Sequence, residues 1–225
     1  NDVSIGYLLG NVWCWNKLNN IIREVDKFYF NNASFEDSLP PKEFAKEFAN
    51  EIINRGLDIS YCVNFRTSFY KICDNGLKDL LIRSGLTGVF LGVESFNEQD
   101  LKLYNKHTKV NENVESIRFF RNLDVGIDIG FININPYSTF ETLKENEKNL
   151  YNTGFLSSLN ILSRLRAYKG TPLCNKLESD GLLLPDSYLN YYNYSYVNGN
   201  VGHFAKYINE MFGYEYGNQV LIHIA

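Results

Sequence analysis

The sequence predicts an α/β protein in which parallel strands alternate with helices that lie outside the sheet. The first reason is the order of the elements, because β-like runs and helical runs alternate five times at intervals of roughly 30 residues. The second reason is that the β-like runs are continuously apolar, which is typical of a parallel sheet buried on both faces. An open doubly wound sheet and a full or partial barrel share this pattern, and the periodicity alone does not separate them.

Each element has its own signal in the sequence. The predicted strands are residues 27–32, 57–66, 87–95, 125–134 and 156–163. The predicted helices are residues 15–24, 40–56, 75–85, 98–104, 111–123 and 138–154, each with apolar residues at a helical spacing. Two prolines begin the second helix, glycines at 56, 85 and 154 end three of the helices, and Ser138 with Glu141 resembles a capping box.

Two helices have a buried face that can be read directly from the spacing. The face of the second helix consists of Phe44, Phe48, Ile52 and Ile53. The face of the helix at 111–123, which Asn111 precedes as a cap, consists of Val114, Ile117, Phe120 and Leu123. We expect these residues to form much of the core on the outside of the sheet.

Composition excludes several classes of protein. The chain has 225 residues, 44% of them hydrophobic, which suits one α/β domain with a sizeable core. A net charge of −4 argues against a nucleic-acid backbone as the main partner. No apolar run approaches the roughly 20 residues that span a bilayer, and there is no secretory signal. The four cysteines lie far apart, so we expect free thiols in a reducing cytoplasm and no metal site.

Polar residues follow every predicted strand, where ligands bind in parallel βα proteins. They are Asn31, Asn32, Asn64, Arg66, Glu94, Ser95, Asn133, Asn135, Ser163 and Arg164. Polar loops explain any single member, but the whole set favours an organised ligand site. Glu94 and Arg66 are the most informative, because a carboxylate accepts both hydroxyls of a ribose diol and a guanidinium suits a ligand carboxylate. The tyrosine-rich run at 188–200 suits stacking on a ligand and packing equally well.

Several runs of the sequence resemble the radical S-adenosylmethionine (SAM) superfamily, especially its cobalamin-type and Elp3-like branch. "GVFLGVESFNEQDLKLYNKHTK" is similar to the pattern lGvES…e.Lk.mnKg.t of that branch, and "VGIDIGFININP" is similar to its Gi.v..gfI.G.P. "KFYFNNASF", "NRGLDISYCVNFRTSF" and "AYKGTPLCNKLESDGLL" resemble three further motifs in the same order. The resemblance runs from about residue 15 to 184, so we expect a core domain at 15–184, an N-terminal remnant at 1–14 and a tyrosine-rich C-terminal extension at 185–225.

The resemblance implies a partial (βα)6 barrel of the TIM type that binds SAM and a 4Fe–4S cluster and generates a 5′-deoxyadenosyl radical, which abstracts hydrogen from a substrate. In this sequence, Asn31 and Asn32 would face the methionyl amine, and Glu94 would hold the ribose with Ser95 close by. Arg66 and Lys106 would contact the SAM carboxylate or the substrate. The adenine wall would consist of residues 132–135, including Ile132, Asn133 and Asn135. The substrate class is open between a small molecule and a peptide, and the family implies an electron donor such as flavodoxin or ferredoxin.

Two departures from the family pattern affect this interpretation. The cluster loop C-x3-C-x2-C is absent, and no cysteine here replaces it, because three thiolates must converge on one cluster. We therefore expect the first strand and its loop to precede this chain, which alone would be inactive, and a cobalamin-binding domain sometimes precedes them. Ile134 stands where the family has a glycine.

Two other functions fit the same residues. A relative without a cluster would keep the barrel as a nucleotide-binding or scaffold module. An unrelated βα-barrel lyase would use Glu94 as a general base and Lys106 or Lys169 as an electrophile.

Overall fold

The computed structural model of the protein describes residues 3–4, 32–35, 42–188 and 191–212. The predicted helix at 15–24, and the predicted strand at 27–32 except for Asn32, lie outside these residues. The chain divides into two compact units. The first unit is Asn1–Val93 with Asn111–Gly130, and the second is Glu94–Val110 with Phe131–Ala225.

A five-stranded sheet forms the centre of the first unit. Its strands are β1 (Val3–Ser4), β2 (Asn32–Phe35), β3 (Ser60–Phe65), β4 (Leu86–Glu94) and β5 (Gly126–Phe131). They lie side by side in sequence order, and each of the pairs β1–β2, β2–β3 and β3–β4 is parallel. This confirms the predicted α/β class with a parallel sheet, and the predicted strands at 57–66, 87–95 and 125–134 overlap β3, β4 and β5. The predicted strand at 27–32 shares only Asn32 with β2. β1 was not predicted, because the sequence leads us to expect the strand before residue 27 to precede this chain.

The helices of the first unit follow the sequence signals closely. They are α1 (Lys42–Asn54), a short 3-10 helix (Thr67–Lys71), α2 (Asn75–Arg83) and α4 (Val110–Arg121), which is numbered after a helix of the second unit. The Asp74 side chain caps α2 by accepting the Leu77 N–H at 2.9 Å. Gly85, which ends the predicted helix, has a φ of 103°, and a Cβ there would lie 1.9 Å from the Ile59 carbonyl oxygen, so only glycine fits.

The buried faces of α1 and α4 differ in part from the prediction. In α1, Phe48 and Ile52 are buried as expected, but Ala45 and Ala49 complete the face, while Phe44 and Ile53 are half-buried. The two alanines extend the buried face, which the spacing of the large apolar residues alone does not reveal. The expected Ile117 and Phe120 of α4 are buried, as is Leu123 just after the helix, and Val114 is half-buried. The predicted cap is wrong, because α4 begins at Val110 and Asn111 lies inside it.

The second unit carries the remaining elements. Its helices are α3 (Glu98–Leu103), α5 (Phe140–Asn152), α6 (Ser158–Leu162), α7 (Pro172–Ser179) and α8 (Gly199–Phe212). A small antiparallel sheet has the order β6 (Ala167–Tyr168), β8 (Tyr191–Tyr194), β7 (Leu183–Tyr188). Within the tyrosine-rich segment, Tyr192 and Tyr194 pack against the buried cluster of Leu165, Ala167 and Leu177, which supports its packing role.

The predicted strand at 156–163 is wrong, because this segment forms the helix α6. Its cap is Ser157, whose hydroxyl accepts the Asn160 N–H at 3.2 Å, and Leu159 and Leu162 are three residues apart, a helical spacing. The extended segment begins later, where Arg164 pairs in parallel with Ile134 as an isolated bridge. In place of the predicted strand, the segment thus forms a helix that is followed by a single bridge.

The predicted cap of α5 is also wrong by one residue. Thr139 is the N-cap, and it exchanges hydrogen bonds with Thr142, whereas Ser138 is buried and accepts the Asn135 N–H at 2.9 Å. The predicted Ser138–Glu141 pair has the spacing of a capping box, but the Ser138 hydroxyl is already engaged by the turn after β5. Within the described parts of the chain, no helix combines the length and the apolar composition needed to cross a membrane.

Candidate functional site

Glu94, the last residue of β4, has an unusual backbone conformation. Its φ is 63°, in the left-handed region that a residue with a Cβ rarely adopts. The Glu94 carbonyl oxygen accepts the Ile132 N–H at 2.7 Å, and the following residue, Ser95, is fully buried. The strand therefore ends in a sharp change of direction that is fixed on both sides of the residue, a kind of strain that occurs at functional sites.

The Glu94 carboxylate forms an ion pair with Lys106. Lys106 Nζ donates to Glu94 Oε1 at 2.8 Å, which leaves Oε2 without a donor among the described residues. The Glu94 side chain is 21% exposed and the Lys106 side chain is 37% exposed, so a ligand can approach the pair. The arrangement can present one free carboxylate oxygen to hydroxyl groups.

The end of α3 places Lys106 where it can reach Glu94. Asn105 has a φ of 54° and donates its N–H to the Lys102 carbonyl oxygen at 3.1 Å. The Lys106 N–H donates to the Leu101 carbonyl oxygen at 2.8 Å. These two bonds form a Schellman motif, which reverses the chain after the helix and fixes the backbone of Lys106.

A buried polar cluster lies beside Glu94 and centres on Asp100. Asp100 Oδ2 accepts the Ser95 hydroxyl at 2.9 Å, and Oδ1 accepts Asn135 Nδ2 at 2.8 Å. Asn135 Nδ2 also donates to the Tyr104 hydroxyl at 2.9 Å. Asn146 Oδ1 accepts the Phe96 N–H at 2.9 Å and lies 3.1 Å from Ser95 Oγ. We call the residues Ser95, Asp100, Tyr104, Asn135 and Asn146 the Asp100 cluster.

Burial shifts the pKa values of two groups in this cluster. It raises the pKa of Asp100, while the hydrogen bonds from Asn135 and Ser95 lower it, and the net direction is upward. Burial and then the charge of Asp100 raise the pKa of Tyr104 well above its ordinary value. The Tyr104 hydroxyl is therefore protonated at neutral pH and has a proton to donate.

The predicted adenine wall follows β5 and differs in its contacts from residue to residue. Asn133 is buried and donates Nδ2 to the Ile161 carbonyl oxygen at 2.7 Å, while its Oδ1 has no hydrogen-bond partner within the described structure. The Asn135 side chain is fully buried, and its Oδ1 accepts the Tyr137 N–H at 2.9 Å. Ile132 is half-buried against the cluster that contains Leu165.

Ile134, which replaces the glycine of the family pattern, points its side chain into a hydrophobic cluster. It is fully buried with Leu143 of α5 and with Val201, Ala205 and Ile208 of α8. The larger residue therefore anchors helix α8 to the segment after β5, and burial of such a side chain contributes about 1.5–3 kcal/mol.

The remaining predicted site residues lie in the first unit or outside the described residues. Arg66 is exposed between β3 and the short 3-10 helix, and Asn32 pairs with Ser60 in the sheet. Asn31 is outside the described residues. The second unit itself contains Glu94, Ser95, Lys106, Ile132, Asn133 and Asn135.

The part of the chain that the structure describes contains no group of side chains that could bind a metal ion. No three histidine, cysteine, aspartate or glutamate side chains there could hold a metal ion. Cys62, Cys73 and Cys174 are free, and Cys14 lies outside the described residues. These residues do not fit an iron–sulfur cluster, whereas the partly exposed Glu94 carboxylate has the chemistry to accept ligand hydroxyl groups.

Sequence reasoning missed Asp100, Tyr104 and Asn146. One local signal was available for Asp100, since Asn97 is the cap of α3 and accepts the Gln99 and Asp100 N–H groups at 2.9 and 3.2 Å. An acidic residue in a first helical turn is ordinarily exposed, however, and nothing in the sequence indicates that this one is buried.

Two curated proteins are similar to the chain in sequence, although no family model matches it. An anaerobic magnesium-protoporphyrin IX monomethyl ester cyclase of Cereibacter sphaeroides is 32% identical over 131 residues, which cover 57% of this chain and 21% of that protein. The protein described by the same name in Rubrivivax gelatinosus is 29% identical over 128 residues and 23% of its length. The matched segment thus spans about a fifth of each relative.

Solved structures share the fold over most of the chain. The cobalamin-dependent SAM radical enzyme OxsB, with aqua-cobalamin and SAM bound, matches 93% of this chain and 38% of its own with a TM-score of 0.69 and 19% identity. Elp3 of Methanocaldococcus infernus matches 94% of this chain and 62% of its own with a TM-score of 0.53 and 13% identity. Likeness at this identity establishes the fold, and together with the sequence matches it confirms the resemblance to the radical SAM superfamily that the sequence predicts.

Proposed function

We propose that this chain is the SAM-binding part of a radical SAM enzyme and that its fold is a partial (βα)6 barrel. Support for the barrel comes from the strand order, since β1 to β5 follow one another without the reversal that a doubly wound sheet requires. The likeness to OxsB, which is described with SAM bound, supports the ligand.

The observation that carries the proposal is the geometry of Glu94. Its carboxylate stands at the carboxyl end of a parallel strand, where ligands of βα proteins bind. Lys106 engages one oxygen and keeps the carboxylate in place, while the other oxygen is free to accept a hydroxyl group. In this proposal that oxygen accepts the ribose hydroxyls of SAM, and Lys106 lies close to the same ligand.

The other site residues take roles that their contacts permit. Ile132 offers an apolar surface to the adenine, and Asn133 contributes its unpartnered Oδ1 close to that surface. Because every polar atom of the Asn135 side chain is already bonded, its backbone would face the ligand while its side chain holds the turn. For Asn31, Asn32 and Arg66 we keep the roles that the sequence predicts, with the two asparagines on the methionyl amine and Arg66 on the SAM carboxylate or the substrate.

The complete enzyme would contain more than this chain. SAM and a 4Fe–4S cluster, held by cysteines that this chain does not contain, would supply the 5′-deoxyadenosyl radical chemistry for hydrogen abstraction from a small-molecule or peptide substrate. An electron donor such as flavodoxin or ferredoxin would reduce the cluster, and a cobalamin-binding domain fits the likeness to OxsB. A reducing cytoplasm suits the free thiols of Cys73 and Cys174.

Calorimetric titration of the chain with SAM, and separately with 5′-deoxyadenosine, tests the proposal. 5′-Deoxyadenosine carries the ribose and adenine without the methionyl group, so its binding reports on Glu94 directly. Glu94→Ala should weaken both ligands by about 1–3 kcal/mol, or roughly 5- to 150-fold, the usual cost of losing a charged hydrogen-bond partner.

Glu115→Ala is the matched control. Glu115 also forms an ion pair, with Arg118 at 2.7 Å, but it lies on the exposed face of α4 in the first unit, so its loss should leave both affinities unchanged. No binding of either ligand by the unaltered chain would refute the proposed function. Equal binding by the unaltered chain and the Glu94→Ala variant would refute only the assignment of Glu94 to the ribose.

A further inference from the structure

We propose that Asp100 is a positioning residue for the adenosyl ligand. It does not touch the ligand but fixes the orientation of Glu94, which does. This inference rests on the proposed function. The Asp100 cluster joins the two chain segments that carry the predicted ligand contacts, one after β4 and one after β5, and Asp100 is the residue that bonds to both.

On the β4 side, Asp100 fixes the turn that begins at Glu94. The Ser95 hydroxyl donates to Asp100 Oδ2 and accepts the Asn97 N–H at 3.1 Å, so its orientation is determined by both neighbours. The Phe96 N–H is held by Asn146 Oδ1 at 2.9 Å. These bonds fix the backbone conformation after Glu94. They therefore maintain the left-handed φ of Glu94, which determines the direction of its carboxylate.

On the β5 side, Asp100 fixes the segment of the predicted adenine wall. Asn135 donates Nδ2 to Asp100 Oδ1, and the Asn135 N–H donates to the Ser138 hydroxyl at 2.9 Å. Asn135 Oδ1 accepts the Tyr137 N–H. The backbone of the turn after β5 is thus tied through one side chain to the carboxylate that also holds Ser95.

The two carboxylate oxygens of Asp100 have a specific use here. Its hydrogen-bond donors in the described structure, Ser95 and Asn135, are neutral, and no lysine, arginine or histidine of the described chain forms an ion pair with it. Burying a carboxylate on such terms is costly, so stability alone does not favour an aspartate at this position. What a carboxylate offers is two acceptor oxygens and no donor, which lets it bind donors on both sides simultaneously.

Asp100→Asn is the variant that removes this property with the least change of shape. Its amide has one acceptor oxygen instead of two, so Ser95 and Asn135 can no longer both donate to residue 100. If the amide oxygen keeps Asn135, the Ser95 hydroxyl loses its acceptor there and must turn its proton to Asn146 Oδ1, which rearranges the bonds on the β4 side. We expect the affinity for SAM and for 5′-deoxyadenosine to fall by about tenfold, the consequence of losing one such bond and releasing one side of the site.

A double-variant cycle with Glu94→Ala separates positioning from general damage. If Asp100 acts through Glu94, the double variant should bind 5′-deoxyadenosine less weakly than the sum of the two single losses predicts. Leu150→Ala, which opens a cavity at a fully buried residue of α5, is the control for lost stability, and its affinity should stay unchanged. Losses that add fully would overturn the inference, as would unchanged affinity in Asp100→Asn.

Asn146→Ala is the second variant, for use if Asp100→Asn does not fold. It removes the acceptor of the Phe96 N–H from the same cluster and should also lower the affinity, and unchanged affinity in this variant would count against the inference. If the unaltered chain binds neither ligand, the proposed function fails. If it binds both and Asp100→Asn binds equally well, only the role of Asp100 fails.

Discussion

The left-handed conformation of Glu94 predicts an inverted order of stability between two substitutions at this position. Alanine is ordinarily the better residue, since glycine loses more conformational freedom on folding by about 0.5–1 kcal/mol. A φ of 63° reverses this preference, because a residue with a Cβ pays roughly 1–2 kcal/mol there and glycine pays nothing. Both substitutions remove the ion pair with Lys106 equally, so its contribution cancels.

The net expectation is that Glu94→Gly unfolds with a free energy about 0.5–1 kcal/mol higher than Glu94→Ala. Urea denaturation of the two variants measures this difference, and it corresponds to about 1–4 °C in Tm for a chain of this size. Both variants lack the carboxylate, so both should lose affinity for 5′-deoxyadenosine to the same degree. Stability would then change without a change in binding.

Asp124 provides the matched control for the backbone. It is an exposed residue after α4 with a φ of 56°, and it takes no part in the candidate site. Asp124→Gly should likewise exceed Asp124→Ala in stability by about 0.5–1 kcal/mol. If the Asp124 pair shows this difference and the Glu94 variants are equal or in the opposite order, the left-handed conformation of Glu94 is wrong, and with it the direction in which the carboxylate points.

Two further predictions concern stability. Gly85→Ala should lower the free energy of unfolding by about 2–4 kcal/mol, because the added Cβ would collide with the Ile59 carbonyl oxygen. Gly56→Ala should lower it by only about 1 kcal/mol, because Gly56 also has a positive φ, of 63°, but lies in open space. Similar losses for the two variants in urea denaturation would contradict this prediction. The folded-state pKa of Asp100 is raised above its unfolded value of 3.8. The stability that protonated Asp100 contributes is therefore fully present below pH 3.8, and it is lost as the pH rises through the folded-state pKa. The unaltered chain should therefore lose stability relative to Asp100→Asn as the pH rises from 3.8, while Glu145, which also faces Asp100, contributes to both proteins; a constant difference between the two denaturation series would show that Asp100 is not desolvated.

The parts of the fold that depend on neighbouring residues in the chain were predictable. The strand at 125–134 and the helix at 98–104 follow from runs of apolar residues and from caps that act within one turn. Glycine at 85 marked a helix end because its backbone requirement is local. The segment at 156–163 was harder, since a short run with several apolar residues suits a strand and a helix alike, and the cap at Ser157 decides between them.

Competition for one side chain explains the error at the start of α5. Ser138 has the residue type and spacing of a cap, and Thr139 has them as well. The Asn135 N–H takes the Ser138 hydroxyl, so the cap moves to the next residue. This choice depends on the turn after β5, which Asp100 holds through its hydrogen bond with Asn135. A local pattern thus failed at the point where a distant contact controls the backbone.

The candidate site divides along the same line. Glu94 was predicted because a carboxylate that follows an apolar strand needs a partner, and Lys106, its partner, is only twelve residues away. Asp100 holds Asn135, which is 35 residues further along the chain, and Ser95 lies 51 residues from Asn146. Spacings of that length carry no periodic signal, because they depend on how the two segments fold back on each other. The residues that would touch the ligand were therefore accessible from the sequence, whereas those that aim them became visible only in the folded chain. The double-variant cycle of Asp100 and Glu94 therefore tests what the sequence could not reveal. It asks whether Asp100, a buried carboxylate without a cationic partner in the described chain, contributes to ligand binding at Glu94.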